Sequence, residues 1–178
     1  MTTRVVHTAD LTAAERAAMR TLLDAAFDGR FDDHDWDHAL GGLHVFVADG
    51  GRIVAHGSVV QRQFLYGDLP VRAGYVEAVA VDSQRRGQGL GWAVMDEIER
   101  VIAAAYDLGA LSSSEAAVGF YIARGWLPWQ GSTAVLGPEG ITPTPDEDDS
   151  TYVLPVPPLS PLDRTRRLIC DWRAGDVW

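Results

Sequence analysis

The chain contains no lysine, and only one of its 178 residues is a cysteine. Every permanently positive side chain is therefore an arginine. That excludes a Walker-type phosphate loop, which needs a lysine against the phosphates. The lone Cys170 leaves no internal disulfide framework and suits a reducing compartment. No uncharged apolar run approaches the ~20 residues that span a bilayer. The opening Met1-Thr2-Thr3-Arg4-Val5-Val6-His7 lacks the apolar centre of a secretory signal, so the expectation is a cytoplasmic protein with no membrane partner. Positive charge is also scarce, 15 basic residues against 25 acidic ones, for a formal net charge of −10. Such a field repels nucleic acid and draws in cations, although acidity also serves solubility alone. With 47% hydrophobic and 22% charged residues the balance is that of a folded protein. The length accommodates one good core, which predicts a single domain over 1–178.

Val5–Thr8 reads as a short opening strand. Thr12 and Glu15 have the spacing of a capping box, and Met19, Leu22, Leu23 and Phe27 recur at helical intervals, which predicts a helix from Ala13 to about Phe27. In the acidic stretch that follows, Asp33 is placed to cap a short helix ended by Gly41-Gly42. Leu43–Ala48 and Ile53–Leu65 read as strands joined by the turn Asp49-Gly50-Gly51. Gly67-Asp68 marks a second reversal, and Gly74–Val81 is an apolar run broken by one carboxylate, Glu77. Beyond Asp82 a polar, glycine-rich loop, Ser83–Gly91, leads into a helix whose Leu90, Val94, Ile98, Val101 and Ile102 share a face. Leu108–Leu111 reads as a buried strand, and Ser112-Ser113-Ser114 offers caps for a helix Glu115–Arg124 that Gly125 stops. Trp126–Gln130, Thr133–Leu136, Thr151–Pro155 and Leu168–Trp172 read as extended, and Gly137–Ser150 as a loop. This order predicts an α/β (α+β) domain.

Gln84-Arg85-Arg86-Gly87-Gln88-Gly89 follows a strand and opens a helix. At such a junction unpaired N–H groups and the helix dipole converge, which suits a pyrophosphate. Gly87 and Gly89 let the backbone approach phosphates with no Cβ in the way, and Arg85 and Arg86 add charge and forked donors. The third glycine, Gly91, comes one residue too early for the dinucleotide fingerprint G-x-G-x-x-G. A turn without a ligand is the alternative these residues leave open. Glu77, the one ionisable residue of its run, becomes a candidate general base if apolar burial raises its pKa. An arginine partner across the sheet would instead make it structural. Cys170 has no evident catalytic partner, and the histidines show neither zinc-ligand nor triad spacing, so no metal is expected.

Gln84 to Gly89 matches [Arg/Gln]-x-x-Gly-x-[Gly/Ala] in a strand–loop–helix setting, and on this signature the chain resembles the GNAT superfamily of N-acetyltransferases. The resemblance implies a mixed central sheet of about seven strands flanked by helices and splayed where acetyl-CoA enters. It implies acetyl-CoA as co-substrate, with Arg86, Gly87, Gln88, Gly89, Leu90 and Gly91 on the pyrophosphate and Val79, Ala80 and Val81 along the pantetheine arm. The segment from Glu115 through Tyr121 to Gly125-Trp126 is similar to the helix that ends Tyr-x-x-x-Gly-Phe in these enzymes, whose tyrosine hydroxyl lies near the thioester sulfur. Without that likeness, Tyr121 reads as a core aromatic spaced with Val118 and Ile122.

More narrowly, Asp35-Trp36-x-His38-x-Leu40-Gly41-Gly42-x-His44, Gly74–Val81, Leu108–Ser112, Gly125–Trp129 and Cys170–Trp178 resemble, in the same order, stretches of the bacterial aminoglycoside 2'-N-acetyltransferases. This implies a homodimeric enzyme that acetylates the 2'-amine of a polycationic aminoglycoside and so confers resistance to it. Glu77 would stand at the acceptor amine, acting through ordered water, with the Trp178 carboxylate at the same site and Tyr121 donating to the departing thiolate. Asp35, Ala78, Ser112, Asp146, Glu147 and Asp176 would line the antibiotic pocket beside Glu77 and Trp178. Two positions depart from the family: Gly29-Arg30-Phe31 replaces a Gly-Asp-Phe stretch, and Glu147 stands where aspartate is common. Arg30 should repel an ammonium group, which leaves open another amine acceptor, of the kasugamycin type or a host metabolite. A coenzyme A-binding module without turnover is the alternative from another class.

Overall fold

A computed structural model describes residues 1–178 as ten strands and four α-helices. In chain order these are β1 (Thr2–His7), α1 (Ala13–Ala26), α2 (Asp33–Ala39), β2 (Leu43–Asp49), β3 (Arg52–Tyr66), β4 (Leu69–Val81) and α3 (Leu90–Ala105). There follow β5 (Leu108–Ser112), α4 (Val118–Ala123), β6 (Leu127–Pro128), β7 (Thr133–Gly137), β8 (Gly140–Pro143), β9 (Thr151–Pro155) and β10 (Leu168–Asp171). By contact density the chain divides into Met1–Val60 with Val76–Val101, and Gln61–Tyr75 with Ile102–Trp178.

In the first unit, α1 starts on the expected capping box. Thr12 Oγ1 accepts from Glu15 N–H at 3.2 Å, and Glu15 Oε2 accepts from Thr12 N–H at 2.9 Å. Its apolar face buries Met19, Leu22 and Leu23. The cap of α2 is Asp32 rather than Asp33. Asp32 Oδ1 accepts from Asp35 N–H and Asp35 Oδ2 from Asp32 N–H, both at 2.9 Å. Asp35, three residues on, completes this box, while Asp33 turns to the Arg20 guanidinium at 2.9 Å. Strands β1, β2 and β3 form an antiparallel meander, with Val5 opposite Val45 and Val45 opposite Gly57. Gly57 is required by α3: a Cβ there would lie 2.8 Å from Val94 and 2.9 Å from Ile98.

In the second unit the strands run in the order β6-β9-β5-β4-β3-β10-β7-β8. Pairs β4–β5 and β10–β7 are parallel and β3–β10, β5–β9, β6–β9 and β7–β8 antiparallel, so the α/β arrangement is mixed, as expected. Trp126 is buried, and a Cβ on Gly109 would meet Leu154 at 3.0 Å and the Trp126 ring at 3.2 Å. Truncating a core aromatic of this kind typically costs ~3–5 kcal/mol.

The expectation of about seven strands falls short because short pairings escape a periodicity reading. Leu127–Pro128 pairs with β9 over two residues. Gly137–Ser150 is not simply a loop: Gly140, at φ +110°, folds Gly140–Pro143 back on β7, and Pro145–Glu147 is a 3-10 turn. The helix expected over Glu115–Arg124 divides into a 3-10 turn, Glu115–Ala117, and α4. Its N-cap, Ser114, makes no side-chain cap bond.

Candidate active site

Strand β4 delivers Glu77 and ends in the loop before α3. Ala78 adopts φ +53°, a left-handed conformation rare for a residue with a Cβ, costing ~1–2 kcal/mol. This kink interrupts the alternation of β4, and Glu77, Ala78 and Val79 are all half-buried. Glu77 thus sits partly open at a backbone irregularity rather than sealed in an apolar run. Its carbonyl oxygen lies 3.4 Å from the Ser58 hydroxyl, and the Ala78 carbonyl oxygen lies 2.8 Å from His56 Nδ1.

The loop that follows has the expected shape. Asp82 accepts from Gln84 N–H at 2.9 Å and starts a 3-10 turn, Ser83–Arg85. Arg86 is extended, and Gly87 and Gly89 adopt φ +75° and +77° in open space, with no other atom within 4 Å of a Cβ built on either. Leu90 anchors the first turn of α3 in the core, leaving Arg86–Gly89 exposed. An open, glycine-bearing loop that leads into a helix N-terminus is able to take an anion such as a pyrophosphate. Arg85 is otherwise engaged, donating to Asp49 Oδ2 at 2.6 Å and to Gln88 Oε1 at 3.2 Å. It props the loop instead of reaching out of it. Also in this unit, the carboxylate of Asp35 serves the α2 cap, and Arg30 is exposed with its Nε on the Phe27 carbonyl at 3.3 Å.

In the second unit Tyr121, on α4, is buried against Phe120 and Trp126, with ring centroids 5.2 and 6.1 Å away. Burial pushes its hydroxyl up to about 12, so it stays protonated near neutral pH and is available as a hydrogen-bond donor. Ser112 and Glu147 are brought together: Ser112 Oγ lies 3.3 Å from Glu147 Oε2, which also accepts from Ser150 Oγ at 2.6 Å. Asp148 accepts from the backbone N–H of Thr133 at 2.7 Å and from its hydroxyl at 2.8 Å. Trp178 is buried; its indole N–H donates to Thr144 Oγ1 at 2.9 Å, and its ring packs edge-on to Phe64 at 5.3 Å. Asp176 Oδ1 accepts from Trp178 N–H at 3.0 Å, and Arg173 donates to the Trp178 main-chain oxygen at 2.8 Å. Asp146 is exposed in the 3-10 turn Pro145–Glu147.

Arg62, His44 and His56 support the site without belonging to any catalytic or cofactor motif. Arg62, 4% exposed, donates to Asp171 at 2.8 Å and stacks over Tyr75 at 4.8 Å. His44 and His56 are both fully buried. The signal was present: each histidine interrupts an apolar strand at an inward position, Leu43-His44-Val45 and Ala55-His56-Gly57, where a polar ring needs a partner. Zinc and triad spacings were the wrong templates for it.

Solved structures similar to this chain share its fold. The model of the acetyltransferase (GNAT) family matches residues 11–126. An aminoglycoside 2'-N-acetyltransferase of Mycolicibacterium fortuitum is 54% identical over 179 residues, covering 99% of this chain and 92% of the relative. Among solved structures, a GNAT family N-acetyltransferase of Escherichia coli in complex with CoA aligns with a TM-score of 0.66 at 15% identity, over 97% of this chain and 89% of that one. A GNAT family acetyltransferase of Brucella melitensis in complex with acetyl-CoA gives 0.62 at 15% identity, over 97% of both chains.

Proposed function

The chain belongs to the GNAT acetyltransferase family, and from that premise we propose that it acetylates the 2'-amine of an aminoglycoside at the expense of acetyl-CoA. The observation that carries this reading is the 54% identity to an aminoglycoside 2'-N-acetyltransferase along almost the entire chain. The product loses one positive charge, which weakens binding to an anionic ribosomal target and would confer resistance. We read the chain as a single catalytic domain working as a cytoplasmic homodimer, without a metal.

Acetyl-CoA, when bound, supplies an acetyl thioester that a neutral amine can attack. In this reading the backbone of Arg86, Gly87, Gln88, Gly89, Leu90 and Gly91 holds the pyrophosphate, and the end of β4, Val79–Val81, orients the pantetheine arm. Glu77 receives the proton of the arriving ammonium group through water, because only the neutral amine is a nucleophile. The carboxylate of Trp178, whose backbone is held by Arg173 and Asp176, is the second candidate proton acceptor. The neutral Tyr121 hydroxyl donates a hydrogen bond to the departing thiolate, and any proton it passes to the sulfur is replaced by the one that the attacking nitrogen sheds as the amide forms. Asp35, Ala78, Ser112, Asp146, Glu147 and Asp176 hold the remaining ammonium and hydroxyl groups of the acceptor.

The test is thiol release from acetyl-CoA across a panel of amines. Aminoglycosides with a 2'-amine should release thiol, and those carrying a hydroxyl at the same position should not. Equal release from both groups would move the function to another amine. Binding of acetyl-CoA with no release from any acceptor would make the chain a coenzyme A-binding module.

A further inference from the structure

Behind the Glu77–Ala78 backbone runs a buried polar chain that acetyl transfer does not itself consume. Thr8 Oγ1 lies 2.9 Å from Gly41 N and 2.8 Å from His44 Nε2. His44 Nδ1 lies 3.0 Å from His56 Nε2, and His56 Nδ1 lies 2.8 Å from the Ala78 carbonyl oxygen. The chemistry of the far end fixes the direction of every bond. A carbonyl can only accept, so His56 carries its proton on Nδ1 and its neutral ring offers Nε2 as an acceptor. His44 must then donate from Nδ1, which leaves its own Nε2 bare. The Thr8 hydroxyl fills that position by donating, and its oxygen accepts the Gly41 N–H. The competing 3.3 Å contact from Thr8 Oγ1 to the Gly42 carbonyl is the longer of the two. Burial keeps both rings uncharged, pushing His44 down to about 3 and His56 to about 4.

The chain ends on a strained residue. A left-handed alanine relaxes toward the extended region unless its peptide groups are held. The Ala78 carbonyl is held by His56, and the same backbone carries Glu77 on one side and the Val79 amide on the other. We propose that Thr8, His44 and His56 form a positioning relay that locks the left-handed backbone at Ala78 and thereby aims the Glu77 carboxylate at the acceptor amine. The proposal rests on the reading of Glu77 as the proton acceptor. None of the three residues is a catalytic residue; they act through the backbone they hold.

Two measurements on the full chain test it. Heteronuclear NMR of the imidazole nitrogens near neutral pH should find both His44 and His56 as neutral Nδ1–H tautomers. An Nε2–H or doubly protonated ring at either position overturns the relay, whatever the activity. The second measurement is kinetic. Thr8→Val keeps the shape and removes the hydroxyl; it should lower kcat about 10-fold, within the range that sub-ångström misplacement of a reacting group produces, and leave the acetyl-CoA KM unchanged. Thr8→Ser should restore the rate. Glu77→Gln alone should cost ~10²–10⁴-fold, and adding Thr8→Val to it should cost little more, since the group being misaimed is gone. An equal loss with and without Glu77→Gln overturns positioning through Glu77. Full activity in Glu77→Gln sinks the proton-acceptor reading alone, and the ring tautomers and the Thr8→Val loss still decide the relay. Should Thr8→Val fail to fold, His56→Asn, which keeps a donor at the Nδ1 position, should retain more activity than His56→Leu. Equal losses in those two variants count against the proposal.

Discussion

His44 and His56 show how far a residue's surroundings displace its ordinary chemistry. Burial lowers His44 to about 3, helped by repulsion from His56 once that ring is protonated and from Arg16 and His7, and burial lowers His56 to about 4 against an opposing bond to the Ala78 carbonyl. In the unfolded chain both titrate near 6.5. The unfolded state therefore binds protons that the folded state refuses between pH 6.5 and the folded values. Stability is fully present above 6.5 and falls as the pH drops through that window, by up to about 1.4 kcal/mol per pH unit for each histidine. The carboxylates of Glu15, Asp32, Asp107 and Asp163, all held below their ordinary values by hydrogen bonds, add their losses only lower down, near and below the usual carboxylate range. Urea unfolding should give a flat midpoint from pH 8 to 7 and a steady decline from 6.5 to 5. A midpoint that does not move between pH 7 and 5 would mean that the two rings are not buried as neutral groups.

At the scale of elements, the parts legible in the sequence were those with strong local chemistry. The capping box at Thr12, the helical face of Leu90, Val94 and Ile98, and the glycine cradle each announce themselves within a few residues. Less legible were features created by a distant partner. The left-handed Ala78 looks like any small residue in a strand until His56 is seen holding it. Arg85 looks like a ligand for phosphate until Asp49, far back in the chain, takes it. Strand β8 is invisible because Gly140–Pro143 becomes extended only by pairing with β7. The glycine cradle supports an element-scale prediction. Gly89 sits at φ +77° with open space around it, so Gly89→Val creates no core clash but forces a β-branched residue into a left-handed backbone, a local cost of ~1–2 kcal/mol. The loop should relax away from its present path, raising the acetyl-CoA KM at least ~10-fold while Tm changes by only a few degrees. Gly119→Ala, in open space on α4, is the control and should leave the acetyl-CoA KM alone. A folded Gly89→Val protein with ordinary acetyl-CoA affinity would remove this loop from the cofactor site.

For the whole molecule the dominant fact is a net charge of −10, and its distribution matters more than its size. Arg20, Arg52, Arg62, Arg72, Arg85 and Arg100 each sit against a carboxylate within 3.1 Å, so much of the positive charge is spent locally. Glu147 and Asp148 are held differently, by hydroxyls and a backbone N–H. Those partners fix the carboxylates without neutralising them, leaving a fixed negative field at the loop that follows β8. A polycation arriving there is attracted at long range and pairs at short range, and both effects are screened beyond ~8–10 Å at physiological ionic strength. Exposed pairs are worth only ~0.2–1 kcal/mol each, so a few of them acting together correspond to roughly a 5–10-fold change in affinity. The aminoglycoside KM should therefore rise by about that factor between low salt and ~0.5 M salt. Acetyl-CoA is an anion approaching an acidic protein, and its KM should stay flat or fall over the same range. Opposite trends for the two substrates separate a charge-matched acceptor site from general salt inhibition, which would raise both. An aminoglycoside KM that ignores salt would assign the acids after β8 to solubility and leave acceptor recognition to shape and neutral hydrogen bonds.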